Sequence, residues 1–165
     1  VEGPPWYDSR SGELLDPKLV EEGMDRERES LGNFEAFERA EDDEPEKCGR
    51  QPVDTGWVLA DRGKTVKAIM VARQVNRGTW CDAYAATPRP LSIRMVLHRA
   101  LSNGWPAWMG DVSTAFLHAG LGDDVEFVKL PPTEMEGNHP FRLRKALYGM
   151  RKAPKYWQQF FAQAM

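Results

Sequence analysis

The spacing of apolar side chains along the chain predicts three helices. Apolar residues recur at three- and four-residue intervals after Pro17, after Leu91 and after Pro154, which is the period of a helix with one buried face. Asp16 suits the N-cap of the first helix because its carboxylate can accept a backbone N–H. Pro17 suits the first helical position, where no N–H is needed. We expect this helix to extend to Gly32.

Shorter apolar runs predict strands. The first two, residues 57–59 and 66–75, flank Asp61-Arg62-Gly63-Lys64, whose turn-forming residues predict a hairpin. Three further strands are predicted at residues 108–112, 125–130 and 141–144, the first of them short and buried. The fold class is therefore α+β, with a mostly antiparallel sheet and packed helices. The predicted core side chains include Trp108, Phe116, Leu143, Leu147, Tyr156, Trp157 and Phe160.

Charge divides the chain near residue 50. The net charge of −3 combines residues 1–50, which carry 16 acidic and 7 basic side chains, with residues 51–165, which carry 9 and 15. Residues 41–46 form an acidic stretch around Pro45 and are expected to be an exposed loop or linker. The predicted domains are an acidic leader with one helix, 1–50, and a basic body, 51–165.

Two stretches of the body concentrate basic residues without any acid. Residues 62–77 contain five bases, and residues 141–157 contain six together with several aromatic side chains. Bases between aromatics suit phosphate contact and base stacking, which makes Arg151, Lys152 and Lys155 candidates for nucleic-acid binding. On charge alone, a solvated surface over ordinary core aromatics is the stronger interpretation.

Composition excludes several classes of protein. No apolar run approaches the ~18 residues of a membrane helix, and the first residues lack the basic and apolar regions of a signal peptide. The two cysteines indicate no disulfide framework, and they share no ligand spacing with the three histidines, so no zinc site is expected. We expect a reducing compartment, the cytoplasm or the nucleus, without secretion and without a membrane partner.

Asp111 is the residue singled out as a candidate for chemistry. It follows the apolar run 108–110 and precedes Val112. A carboxylate at the end of a buried strand is costly unless it is paired or bound to a metal ion. From spacing alone, a capping role at a strand-to-turn junction, where the carboxylate accepts backbone N–H groups, is the stronger explanation.

Several motifs in one order carry a resemblance. Residues 110–118, G-D-V-S-T-A-F-L-H, resemble the D-V-x-T-A-F-L-x-G segment of copia-type retrotransposon reverse transcriptases. Residues 66–73, V-K-A-I-M-V-A-R, are similar to that family's V-K-A-R-L-V-A-R strand, and residues 90–94 are similar to its helix start. Residues 142–154, R-L-R-K-A-L-Y-G-M-R-K-A-P, resemble R-L-x-K-A-L-Y-G-L-x-x-A-P. The resemblance covers residues 51–165, and the order of the motifs is more specific than any one of them.

The resemblance implies the fingers and the front half of the palm of a right-hand polymerase fold. The family's Tyr-x-Asp-Asp pair, which holds the second catalytic carboxylates, would lie beyond Met165. Asp111 stands at the position of the first catalytic aspartate. Two Mg²⁺ ions would bridge the nucleotide phosphates and the primer 3′-hydroxyl, with the Asp111 carboxylate and the Val112 carbonyl as metal ligands. With one of three expected carboxylates, the chain alone is expected to be inactive.

Further site residues follow from the same resemblance. Phe116 matches the aromatic residue that blocks a 2′-hydroxyl and so selects deoxynucleotides. Lys67 and Arg73 match the fingers strand whose basic side chains face the triphosphate. Tyr148 and Gly149 match the turn that packs on the nucleotide and the template. The ordinary alternatives are a core position for Phe116 and a solvated strand face for the two bases.

The sequence also departs from the family pattern. Ile69 stands where an arginine is usual, which removes one phosphate or template contact, and Gln74 stands where a glycine is usual. Asp123 and Asp124 lie in a glycine-flanked turn without the preceding tyrosine and strand of the catalytic pair. We therefore expect both aspartates to be surface residues.

The function that the resemblance implies is RNA-directed DNA synthesis. The partners would be an RNA template, a DNA primer, a deoxynucleotide triphosphate and the remainder of a polyprotein. The alternative is a non-catalytic nucleic-acid-binding or structural remnant of such an element. A third possibility, an unrelated α+β binding domain, requires the ordered motifs to be coincidental.

Overall fold

The computed structural model describes residues 5–74, 82–134 and 139–165. The helices are α1 (Pro17–Asn33), α2 (Glu44–Lys47), α3 (Pro90–Ser102), α4 (Ala115–His118) and α5 (Ala153–Ala164). The strands are β1 (Phe37–Arg39), β2 (Val53–Asp61), β3 (Val66–Ala72), β4 (Phe127–Lys129) and β5 (Pro140–Leu143).

The described strands form one five-stranded sheet in the order β1-β5-β4-β2-β3. Three of the four neighbouring pairs are antiparallel, and β2 and β4 are parallel. The predicted α+β class and the mostly antiparallel sheet are therefore confirmed. Strand β3 lies at one end of this sheet, so one of its edges has no neighbour among the described strands.

The β2–β3 hairpin forms at the predicted turn. The Asp61 carboxylate accepts the Gly63 N–H at 2.6 Å, and the Arg62 N–H donates to the Thr65 carbonyl at 2.9 Å. Along β3 the burial alternates, so that Val66 and the even-numbered residues after it are buried. That two-residue period places one face of β3 against the core and leaves the other facing outward.

Helix α1 begins as predicted and covers β3. The Asp16 carboxylate accepts the Lys18 N–H at 2.8 Å, and Pro17 occupies the first turn. The buried side of the helix includes Val20, Met24 and Leu31.

The core extends across the boundary predicted near residue 50. Leu31 and Ala36 pack in the same core cluster as Met70 and Leu147, and β1 pairs with β5. The division into a leader and a body stays a prediction about domains. Within the acidic stretch, residues 44–47 form α2 and Pro45 is buried, so this part of the predicted loop is helical.

Arg28 fastens α1 to the segment after β4. Its guanidinium donates two hydrogen bonds to Glu134, at 3.0 and 3.1 Å, and also contacts Glu21 and Asp25. The guanidinium lies 5.7 Å from the centre of the Trp57 ring, within the range of a cation–π contact. These carboxylates, Glu134 foremost, raise the pKa of Arg28 above its ordinary value, so the side chain stays charged and holds three parts of the chain together.

Residues 82–112 differ from the rest of the described chain. Helix α3 forms where it was predicted, but none of its residues is buried. The strand predicted at residues 108–112 is wrong, because no strand forms there and Trp108 is 93% exposed. An apolar run becomes a buried strand only when another strand or a helix covers it, and no described element does so here.

The C-terminal segment follows the prediction more closely. Helix α5 buries Ala153 and Tyr156, and Leu143 and Leu147 lie in the core as predicted. The predicted burial of Phe160 is wrong, because its side chain is 37% exposed. The partly buried side chains among the predicted core residues are Phe116 and Trp157.

The structure describes one of the two cysteines that were predicted to form no disulfide. Cys48 is an exposed free thiol, whereas Cys81, its expected unpaired counterpart, lies outside the described residues. Arg77 of the first basic stretch also lies outside them.

Among the residues that the structure describes, none of the helices combines the length and apolar character required to span a bilayer.

Candidate functional site

The open edge of β3 organises the candidate site. The Val66 carbonyl accepts a hydrogen bond from the Arg26 guanidinium at 3.0 Å, and the Met70 N–H donates to the Glu27 carboxylate at 3.2 Å. Farther along, the Ala72 N–H donates to the Tyr148 carbonyl at 2.8 Å. Unpaired edge groups invite pairing with other chains. Here α1 and the turn at Tyr148 satisfy these three edge groups.

Glycine is required at Gly149 by this close packing. The residue has φ +83°, in the left-handed region, and a side chain on it would clash with the Ala72 carbonyl. The turn therefore lies directly against the end of β3 and presents Tyr148. The Tyr148 ring packs on Phe116 with the ring centres 4.8 Å apart. Two of the aromatic residues predicted for the nucleotide site are thus in contact.

Asp111 lies in the exposed segment that leads into α4. Residues 108–110, directly before it, form no strand, so the prediction that Asp111 ends a buried strand is wrong. Thr114 has φ +51°, an uncommon left-handed backbone conformation for a residue with a side chain, and α4 begins at the next residue. Within the described part of the chain, the Asp111 carboxylate accepts no hydrogen bond, so the capping role does not explain it.

Tyr148 connects Asp111 electrostatically with helix α1. The pKa of Tyr148 is raised above its usual value, mainly by burial and further by the negative charges of Glu27 and Asp111. Burial also raises the pKa of Glu27, against the effects of the Met70 N–H and of Lys67. Two carboxylates from separate parts of the chain therefore act on one phenol. Sequence reasoning missed Glu27, since its spacing in α1 gives no sign that it reaches β3.

Lys67 and Arg73 lie at opposite ends of β3. Six residues along a strand span roughly 20 Å, so the two side chains begin far apart. Lys67 lines a cleft together with Thr114, close in sequence to Asp111. Arg73 places its guanidinium against Gly56 of β2. The backbone N–H of Arg73 donates to the Asp54 carbonyl at 2.8 Å. The structure thus groups Lys67, but not Arg73, with the α4 turn.

The predicted nucleic-acid-binding residues at the start of α5 make internal contacts. The Lys152 ammonium lies 2.9 Å from the Asp124 carboxylate, and Lys155 pairs with Asp82. The Arg151 N–H donates to the Gln74 side chain at 2.7 Å. These pairs reduce the positive charge that the two lysines offer to an outside phosphate.

Asp124 is not the surface residue that its turn predicted. Its carboxylate also accepts the Tyr156 hydroxyl at 2.5 Å, and only about a third of its side chain is exposed (32%). The Tyr156 hydroxyl and the Lys152 ammonium lower the pKa of Asp124. Burial and the Asp124 carboxylate raise the pKa of Tyr156. Asp123 is exposed, as predicted.

The donor atoms near Asp111 suit Mg²⁺ by chemistry but not by number. The Asp111 carboxylate and the Val112 carbonyl are hard oxygen ligands of the kind that Mg²⁺ prefers. Across residues 5–74, 82–134 and 139–165, no group of three or more His, Cys, Asp or Glu side chains is placed to hold a metal ion. These residues therefore fit part of a Mg²⁺ coordination shell.

Comparison with known sequences identifies relatives of this chain. The family described as "Reverse transcriptase (RNA-dependent DNA polymerase)" matches residues 43–165. The Retrovirus-related Pol polyprotein from transposon RE1 of Arabidopsis thaliana is 41% identical over 98 residues, and that from transposon RE2 is 40% identical over 98 residues. The Retrovirus-related Pol polyprotein from transposon TNT 1-94 of Nicotiana tabacum is 28% identical over 128 residues.

These matches cover much of this chain and little of the relatives. The RE1 and RE2 alignments each span 55% of this chain and 6% and 7% of the polyproteins, and the TNT 1-94 alignment spans 71% and 10%. No solved structure gives a significant match. The resemblance to copia-type retrotransposon polymerases, carried by the ordered motifs, is confirmed. The chain belongs to the reverse transcriptase (RNA-dependent DNA polymerase) family.

Proposed function

We propose that this chain forms the fingers and front palm of an RNA-directed DNA polymerase that adds deoxynucleotides to a primer 3′-hydroxyl. The observation that carries the proposal is the ring contact between Phe116 and Tyr148 beside the end of β3, with Asp111 near enough for its charge to act on Tyr148. Its partners would be an RNA template, a DNA primer, a deoxynucleotide triphosphate and the rest of a polyprotein. We expect it to act in the cytoplasm or the nucleus.

Asp111 and the Val112 carbonyl would hold Mg²⁺ in this proposal. When bound, two Mg²⁺ ions supply charge neutralisation at the phosphates and activation of the attacking hydroxyl. Exposure of Asp111 keeps its carboxylate available, and the left-handed turn at Thr114 directs the chain from Asp111 into α4. One carboxylate gives a weak Mg²⁺ site, so we expect the 165-residue chain alone to be inactive.

Phe116 and Tyr148 would shape the sugar pocket. Their ring contact fixes the position of Phe116 beside the turn at Gly149. A bulky ring at that place excludes a 2′-hydroxyl by steric overlap, which gives a deoxynucleotide preference. Lys67, whose exposed side chain lines a cleft together with Thr114, would contact the triphosphate.

Asp111→Asn tests the catalytic part of the proposal. In an enzyme that joins this chain to the downstream polymerase segment of a close relative, the variant should lose turnover by at least about 100-fold, since an amide keeps the shape but not the negative charge. Template binding should stay unchanged. Asp123→Asn, a matched change at an exposed residue, should keep full activity. Activity retained by Asp111→Asn would contradict the proposal and favour a non-catalytic remnant.

Phe116→Ala tests sugar selection in the same enzyme. The variant should polymerise deoxynucleotides and also accept ribonucleotides, measured as the ratio of the two kcat/KM values. Leu101→Ala, which truncates an exposed apolar side chain of α3, is the control and should leave that ratio unchanged. An unaltered ratio in Phe116→Ala would mean that Phe116 contributes to packing and not to sugar selection.

A further inference from the structure

A basic cleft lies between α1 and the β2–β3 hairpin. We define it as the α1–β3 cleft, with a volume of about 460 Å³. The residues of the lining that bear on its chemistry are Arg26, Glu27, Ser30, Arg62, Lys67 and Thr114. Together with the Thr65 hydroxyl, the lining provides three cations, three hydroxyls and one carboxylate.

The three cationic side chains of the cleft differ in their contacts with the rest of the chain. Arg26 is held by its hydrogen bond to the Val66 carbonyl. Arg62 and Lys67 are exposed, and within the described residues neither forms an ion pair with a carboxylate. The one acid, Glu27, accepts the Met70 N–H and also interacts electrostatically with Lys67, so it offsets only one of the three positive charges. The cleft therefore keeps unneutralised positive charge.

Helix α1 stands this close because of Gly23. A side chain at that position would meet the Val66 carbonyl, so only glycine lets the helix lie against the edge of β3. The close approach brings Arg26 and Ser30 into the same cleft as Arg62 of the hairpin turn. The exposed side of α1 also carries Glu21, Glu22, Asp25 and Glu29, so the basic character of the cleft is a local property.

We propose that the α1–β3 cleft is a phosphate-binding site in which α1, a helix outside the matched family region 43–165, supplies Arg26 and Ser30. Arginine guanidinium groups and hydroxyls are the usual donors to phosphate oxygens. The phosphate belongs either to the backbone of a nucleic-acid strand or to a nucleotide polyphosphate. This inference rests on the proposed function, and it extends the ligand-binding surface beyond the body predicted from charge.

The test uses the 165-residue chain, a fluorescein-labelled single-stranded RNA 12-mer and fluorescence anisotropy. Arg62→Ala, Arg26→Gln and Ser30→Glu should each weaken binding at least threefold. Arg62→Ala should also flatten the dependence of log affinity on log salt by about 0.7, the value for one phosphate contact on a single strand. Lys18→Ala, the same loss of charge on α1 but outside the cleft, should change binding less than 1.5-fold.

Inorganic tripolyphosphate distinguishes the two sources of phosphate. Displacement of the RNA by tripolyphosphate from the wild-type chain, and not from Ser30→Glu, would identify a site for a nucleotide polyphosphate. Weakened binding in the variants without such displacement would identify a strand backbone.

Two results would overturn the inference. Wild-type affinity in all three cleft variants would exclude the cleft, and wild-type affinity in Arg26→Gln and Ser30→Glu with weak binding in Arg62→Ala would exclude α1. Thermal melts within about 2 °C of wild type for Arg62→Ala and Ser30→Glu establish that the variants fold. Since no step requires polymerisation, the result is independent of the Asp111→Asn experiment.

Discussion

The sheet body and the exposed arm place their apolar side chains in opposite environments. We define the sheet body as residues 5–74 with residues 113–165, so far as the structure describes them, and the exposed arm as residues 82–112. In the body, side chains such as Phe127 and Leu147 have almost no contact with solvent. In the arm, Leu101 is 81% exposed and Trp108 is 93% exposed.

The arm is fastened to the body chiefly near its beginning. Asp82 pairs with Lys155, and the Ala86 N–H donates to the Gln158 side chain at 3.0 Å. Helix α3 satisfies its own backbone, so it can form without covering its apolar face. A helix of its length is marginal in water without packing. The comparison shows that local sequence can specify a helix while leaving its burial undetermined.

The largest difference between the two regions should appear on truncation of a large apolar side chain. Phe127→Ala should lower the free energy of unfolding by about 3–5 kcal/mol, because it opens a cavity in the core. Leu101→Ala should change it by less than about 0.5 kcal/mol, since the side chain contacts little. Urea unfolding monitored by circular dichroism measures both. Equal losses would mean that the arm is packed in solution.

Glycine substitutions should give the next largest effect and separate backbone strain from crowding. Gly149→Ala combines φ +83° with a clash against the Ala72 carbonyl, so it should cost at least about 3 kcal/mol. Gly122→Ala has φ +63° but open space around it, and it should cost about 1 kcal/mol. The difference between their melting temperatures isolates the contact of the Tyr148 turn with β3. Equal costs would show that this contact is absent.

Asp124→Asn should have a moderate, pH-dependent effect on the body. The variant weakens the bonds from Tyr156 and Lys152 and should cost about 1 kcal/mol at pH 7. Because the pKa of Asp124 is lowered in the folded chain, its contribution is full above about pH 4, the ordinary range of an unfolded carboxyl group, and is lost as the pH falls further.

Thermal melts of the wild type and Asp124→Asn between pH 7 and pH 2.5 test this sign. The gap between their melting temperatures should shrink as the pH falls below about 4. Asp123→Asn, in the same turn but exposed, should follow the wild type throughout. A gap that persists at pH 2.5 would show that the ionised carboxylate is not what stabilises this cluster.

The smallest effect on stability should come from placing charges on the arm. Ile93→Lys with Leu97→Lys should leave the free energy of unfolding within about 0.5 kcal/mol of wild type. The double variant should, however, self-associate less than the wild type, because contiguous exposed apolar side chains favour association. Sedimentation velocity over a range of concentrations measures this. A large loss of stability would mean that α3 is buried against another surface in solution.

Local sequence signals predicted most of the elements. Asp16 and Pro17 fixed the start of α1 through capping, and the turn at Asp61 and Gly63 fixed the hairpin through its own hydrogen bonds. Such signals act over a few residues, so a single sequence reveals them. The motif around Asp111 likewise indicated the family without any knowledge of the fold.

Long-range contacts were not predictable in the same way. Nothing in the spacing of α1 indicates that Glu27 reaches the Met70 N–H or that Arg28 reaches Glu134, 106 positions away. The short strand β1 was missed because three residues carry too little periodicity to recognise. The turn at Asp124 looked polar and exposed, and only the arrival of Tyr156 from α5 made it part of a bonded cluster.

The sequence by itself determined the starts of the three longer helices, the hairpin and the family, and it singled out Asp111 as the candidate carboxylate. The tertiary structure decided which apolar side chains are buried, which face of α1 meets β3, and which charges neutralise one another. The physical reason is that capping and turn formation depend on neighbouring residues, whereas burial and charge pairing depend on what the fold brings opposite. For the same reason Trp108 and Phe127, both apolar and both expected in or beside strands, have opposite environments.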